Sequence, residues 1–220
     1  MHAHLASAID LAGFRGQAQT LLAHQVPPDE VVWDTDDGQF HDPFATPAPA
    51  ADSRPRGVPR AATAIVPASF LRLCELVVLH SDPQRFALLY RLLWRLVYEP
   101  GLRHNPIDAD MLAAQQMGQA IRRDIHKMKA QVRFHSVPDE DCAGQPLQLA
   151  WFEPAHHIVE ALAPWFARRL PGQRWAVLTP LRSVASDGQQ LRYGPGAAAV
   201  PEDAPPQLWL ARYRSVFGMA

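Results

Sequence analysis

The stretch IRRDIHKMKAQVRF, residues 121–134, decides the fold, because the chain changes its period within it. Upstream and through it, Met111, Ala114, Gly118, Ile121, Ile125, Met128 and Val132 recur three and four residues apart. That spacing is one helix face held for about six turns. Val132 to His135 then alternates apolar and polar residues, as does Leu147 to Phe152, and a two-residue period belongs to strands. Pro138, Asp139, Glu140, Asp141 and Gly144 lie between the two runs, so the pattern predicts a hairpin. A long helix leading into a sheet predicts an α+β fold: a helical body packed on a small, mostly antiparallel sheet.

Working outward toward the N-terminus, Asn105-Pro106 and Asp108 open the long helix. Ser81-Asp82-Pro83 opens the preceding one, with a capping side chain followed by proline at the first helical position. Its buried face is Phe86, Leu89, Tyr90, Leu93, Leu96 and Val97, and Pro100-Gly101 ends it. A further helix begins at Pro67 or Ser69 and carries Phe70, Leu73, Cys74 and Val77. Residues 45–66 are rich in Pro, Ala and Arg and read as an extended crossing segment. In front of it, Asp10 caps a helix to about His24, and Val31-Val32-Trp33 reads as a short strand. The N-terminal element, 1–44, is too small to hold a core of its own; the main domain runs over 67–193.

Toward the C-terminus, Glu153-Pro154 opens a helix to about Leu170, which Pro171-Gly172 stops. Trp175 to Leu178 is a strand, Ser186-Asp187-Gly188 a turn and Gln190 to Tyr193 the next strand. Residues 194–220 read as a Gly/Pro/Ala linker and a helical tail around Leu208 to Tyr213.

Apolar residues make up 48% of the 220, enough for a sizeable core, which argues against wholesale disorder. Net charge is −1, yet Arg122 to Arg133 holds five Lys/Arg against one Asp, a local +4. A neutral chain with one basic patch suits an anionic partner at that patch and not a coat of nucleic acid all round. Cys74, in an apolar run, and Cys142, in a polar loop, give no disulfide framework, so the expected location is the cytoplasm. Arg91 and Arg95 interrupt the longest apolar run, so no membrane span is expected.

Two groups carry candidate chemistry. Arg122, His126, Lys129 and Arg133 follow helical spacing with Arg123 and Lys127 beside them, and Arg168 and Arg169 extend the charge. Cations on one side of a helix can follow a phosphate backbone, although they also complement a helix C-terminus and solubilise a surface. In EPAHHIVE, residues 153–160, a helix would set Glu153 one turn from His157 and His156 one turn from Glu160. Such carboxylate–imidazole pairs suit acid–base work. They supply only two ligands and match no zinc signature, so neither metal nor cofactor is expected. Ser183 and Asp187 have no nucleophile elbow to make them a triad, and no phosphate-cradling glycine loop exists. Trp151, Phe152, Trp165, Phe166 and Trp175 can stack on bases, but most sit on predicted buried faces.

Several stretches together resemble a family of bacterial DNA-metabolism proteins: FALLYRLLWRLV at 86–97, RRDIHKMK at 122–129, WFEPAHHIVE at 151–160, FARR at 166–169, Arg174-Trp175 and LTP at 178–180. The likeness spans most of residues 10–217 and is dense after Val66. That family is encoded beside, or fused ahead of, a cross-linking type of uracil-DNA glycosylase, and accompanies a radical-SAM protein of DNA repair. The resemblance implies a DNA-repair context, with single-stranded or damaged DNA, the glycosylase and the radical-SAM protein as partners. It implies no reaction. The glycosylase's own water-activating loop and His-Pro-Ser element are missing, as is a radical-SAM cysteine triplet. The tail WLARYRSVF, 209–217, resembles the linker into the glycosylase in fused members, which implies a stand-alone form here. The family pattern implies Asp at Leu181, His-Trp at Ala185-Ser186 and an aromatic at Gln131, so binding without chemistry is one expectation. The readings that follow are an accessory module binding nucleic acid or a DNA-bound glycosylase, an enzyme on damaged nucleic acid using Glu153, His156, His157 or Glu160, and a protein–protein scaffold.

Overall fold

A computed structural model describes residues 1–36, 66–105, 107–139 and 145–218. All of the predicted crossing segment except Val66 lies outside the described residues, as do Glu140, Asp141, Cys142 and Gly144 of the predicted hairpin loop. The architecture is α+β, with six α-helices and two sheets among the described residues. The chain divides into two compact units, Met1–Arg122 and Arg123–Ala220.

In the first unit, β1 (His2–Leu5) and β2 (Val32–Thr35) pair in parallel, joined by α1 (Leu11–Ala23). Asp10 caps α1 as expected: its Oδ1 accepts the Gly13 N–H at 2.7 Å. The strand β1 was not expected. Its signal is a four-residue alternation, with Ala3 and Leu5 buried between exposed His2 and His4. Then come α2 (Ala68–Val77), α3 (Arg85–Tyr98) and the first part of α4 (Ala109–Gln131). Helix α3 starts two residues after the predicted proline, and Asp82 Oδ1 accepts the Gln84 N–H at 2.7 Å just before it. Phe14, Phe70, Phe86, Leu89 and Tyr90 build the core. Gly118 lets α4 lie close to α2: a Cβ there would meet Leu73 Cδ1 at 3.2 Å.

The second unit takes the remainder of α4, then β3 (His135–Val137), β4 (Leu147–Trp151), α5 (Val159–Arg169), β5 (Arg174–Leu178), β6 (Arg182–Ser186), β7 (Leu191–Pro195) and α6 (Pro206–Phe217). The strands lie in the order β3-β4-β5-β6-β7. All neighbours are antiparallel except β4 and β5, which are parallel because α5 carries the chain back between them. The expected hairpin is therefore β3–β4, although its first strand starts at His135, later than the Val132 alternation suggested.

This sheet is covered on both faces, and Trp175, Ala176, Val177 and Leu178 of β5 are fully buried. Alternation sends them two ways. Trp175 meets Phe166 of α5 at 5.9 Å and Phe134 at 6.5 Å between ring centroids. Ala176 and Leu178 pack with Trp209 and Phe217 of α6. Strand β6 went unpredicted: RSVAS lacks bulk, and its identity comes from pairing on both sides. The expected linker at 194–206 supplies Ala197 and Val200 to the α6-side core. Asp139, just after β3, accepts from Arg174 Nη2 of β5 at 2.8 Å and from Arg214 Nη2 of α6 at 3.1 Å.

Candidate functional site

Helix α4 leaves its apolar stripe inward and turns a cationic arc outward. Arg123, His126, Lys127 and Lys129 are exposed on it, and Arg133 is exposed just past its end. At 100° per residue, Lys127 and Lys129 stand about 160° apart, so they mark the two flanks of the arc. The Lys129 ammonium lies over the Trp165 ring, 5.2 Å from its centroid. Trp165 is on α5, and Arg168 and Arg169 follow it by three and four residues on the same helix face, both exposed. Lys129 thus joins α4 to α5 across a half-buried indole. Among the described residues, none of Arg123, Lys127, Lys129, Arg133, Arg168 and Arg169 forms an ion pair. Arg122 belongs to the first unit, where it lines a cleft of about 980 Å³ with Phe70, Leu96 and Leu102.

On the other flank the Lys127 ammonium lies 5.8 Å from the centroid of Phe152. Phe152 also lines a cleft of about 600 Å³, together with Gln131, Arg133, His135, Trp151, Glu153, Glu202 and Trp209. The His135 ring stacks on Trp209 at 4.7 Å with an interplanar angle of 26°. The indole N–H groups of Trp151 and Trp209 are buried without an acceptor among the described residues. Those of Trp33 and Trp175 share that condition elsewhere, so it does not single out the cleft.

The helix expected from Glu153 does not begin until Val159. Residues 155–157 bend instead, with the His156 N–H donating to Asp124 Oδ2 at 3.0 Å and the Ile158 N–H to the His156 carbonyl at 2.9 Å. The one-turn spacings of Glu153 with His157 and of His156 with Glu160 are therefore not formed. Glu153 is exposed at the cleft, His156 and His157 are half-buried, and Glu160 Oε1 accepts from Arg182 Nε at 2.8 Å. Burial pushes His156 below the ordinary imidazole value, against the opposing pull of the Asp124 charge. Asp124 was not singled out from sequence, yet it is 6% exposed. Its signal was an acid three residues after Ile121 and four before Met128, on the inward stripe.

Other candidate chemistry recedes. Ser183 is fully buried, with its Oγ accepting the Thr179 N–H at 3.4 Å, while Asp187 Oδ1 caps the β6–β7 turn through the N–H groups of Gln189 and Gln190. Burial pushes the Cys74 thiol up to about 12, which keeps it from acting as a nucleophile. No cluster of three or more metal-ligating side chains exists among the described residues. No described helix is long and apolar enough to cross a membrane. Of the stacking candidates, Phe166 and Trp175 are core, Trp165 lies under Lys129, and Trp151 and Phe152 line the cleft.

A family model catalogued as a domain of unknown function, DUF4130, matches residues 83–219. The chain belongs to this family. The matched segment contains the cationic residues of α4 and α5, the 153–160 segment and the cleft beside Lys127, and leaves out β1, α1, β2 and α2. No curated protein and no solved structure matches the chain.

Proposed function

We propose that this DUF4130 protein is a DNA-repair accessory module that binds a nucleic-acid strand along the outward arc of α4 and the C-terminal end of α5. The observation that carries the reading is the set of cations without acidic partners among the described residues, joined across Trp165 by the Lys129 contact. Ion pairing would have spent these charges internally. Left unpaired, they repel one another until they replace the counterions condensed on a polyanion, which are released to solvent. The likeness to DNA-metabolism proteins associated with a uracil-DNA glycosylase supports single-stranded or damaged DNA as the polyanion. It also supports the glycosylase, and a radical-SAM repair protein, as companions on that DNA. Acid–base chemistry by Glu153, His156, His157 or Glu160 gains no support from the bent segment and the Glu160–Arg182 pair.

A salt titration of binding to single-stranded, duplex and uracil-containing DNA tests this. Engagement of six cations by a single strand gives a slope of log K against log salt of about −4. Lys127→Glu with Lys129→Glu should reduce that slope by about 1.4 and weaken binding across all sequences, with an unchanged unfolding midpoint. A slope and affinity untouched by the double reversal would reject the assignment. Binding to the glycosylase with none to DNA would select the scaffold reading instead.

A further inference from the structure

We infer that the cleft beside Lys127 holds one unpaired nucleobase of the strand whose phosphates lie along α4 and α5, an inference that rests on the nucleic-acid reading. Its size, about 600 Å³, suits a small flat ligand. Its surfaces are of two kinds. Trp151 offers a half-buried ring over a floor of Phe152 and Trp209, which are 8% and 3% exposed, the latter already stacked with His135. Gln131, Arg133, Glu153 and Glu202 offer donors and acceptors around them.

Charge decides between a base and a phosphate as occupant. The cationic arc has no carboxylate paired to it among the described residues, whereas the cleft has two, Glu153 and Glu202, against Arg133. A phosphate would be repelled there. A neutral heterocycle, with a ring face for Trp151 and edge groups that both donate and accept, meets both kinds of group present. The two surfaces are also continuous: the Phe152 ring that lines the cleft is the one beneath the Lys127 ammonium. A strand passing over Lys127 therefore has a base within reach of the cleft while its backbone stays on the arc.

The test uses the full chain and two probes: a short single strand abasic throughout, and the same strand carrying one base. Affinity is read by anisotropy of a labelled strand and occupancy by tryptophan emission. The one-base strand should bind about tenfold more tightly, as expected for one stacked base, and change the emission. Ala130→Leu adds an apolar plug at an exposed helical position that lines the cleft. It should erase that advantage while leaving the abasic strand's affinity as it was. Equal affinity of the wild-type chain for both strands overturns the inference and leaves the phosphate reading standing. Failure to bind either strand overturns the phosphate reading and the inference with it. An advantage that survives Ala130→Leu with no change in emission also overturns it, since the base would then stack elsewhere, as on Trp165.

Discussion

His156 is held between two opposing influences. Burial disfavours the imidazolium, the Asp124 charge favours it, and burial prevails. Its folded value is depressed below its unfolded one, so the unfolded chain binds the proton more readily. The stability it allows is fully present above the unfolded value near 6.5 and is lost as pH falls through the folded value. NMR titration should place His156 below the ordinary imidazole value, and urea midpoints should fall with acidification across that window. His156→Gln, which cannot titrate, should flatten the fall. The candidate residues were legible in sequence as charge and spacing. Their geometry was not, because the bend at 155–157 depends on a carboxylate 32 residues upstream in the chain.

Helix pairs and strand latches make their own predictions. Gly118→Ala in α4 should change stability by less than about 1 kcal/mol, because helix propensity gains what the contact with the flexible end of Leu73 loses. Gly118→Leu should cost about 1–3 kcal/mol by overpacking against α2. Chemical denaturation of both variants checks the pair. In the second unit, burial pushes the Asp139 carboxyl up, but the hydrogen bonds and charges of Arg174 and then Arg214 outweigh it and hold it below the usual range. This contribution is present above the unfolded carboxyl value and lost as pH falls through the folded one. Asp139→Asn should cost about 2 kcal/mol, since it removes the negative charge that accepts from both Arg174 and Arg214. A thermal midpoint unmoved by that change would remove Asp139 as the latch on α6.

Elements with long, regular patterns were readable from sequence: α1, α3, α4, β4 and β5 fall where their periodicity put them. The misses share one cause. β1 is four residues long and exists because β2, thirty residues on, pairs with it, while β6 carries no bulky apolar residue and is a strand because its neighbours β5 and β7 pair with it on both sides. The start of α5 was misplaced because the favourable opening signal at Glu153-Pro154 is followed by a bend anchored on Asp124, far upstream in the chain.

At the scale of the molecule, a net charge of −1 conceals a separation. The acids Asp108 and Asp110 are bound up with Arg91 and Arg95 in the first unit, while most of the cations without an ion pair among the described residues lie in the second. Hydrogen–deuterium exchange with single-stranded DNA should therefore protect 123–133 and 165–169 and leave β1, α1 and β2 unchanged. Uniform protection along the chain, or protection confined to the first unit, would contradict the assignment.

The parallel pairing of β4 with β5 also bears on how the polypeptide reaches its native state. A hairpin closes as soon as its turn forms, and both β3–β4 and β6–β7 are of that kind. The middle strand of the sheet docks against β4 only once the intervening 159–169 has coiled and packed. Until then the two ribbons each show a bare edge to any neighbour in solution. Crowded nascent chains would therefore be lost to aggregation at this step, and slow synthesis in the cold should raise the yield of folded protein.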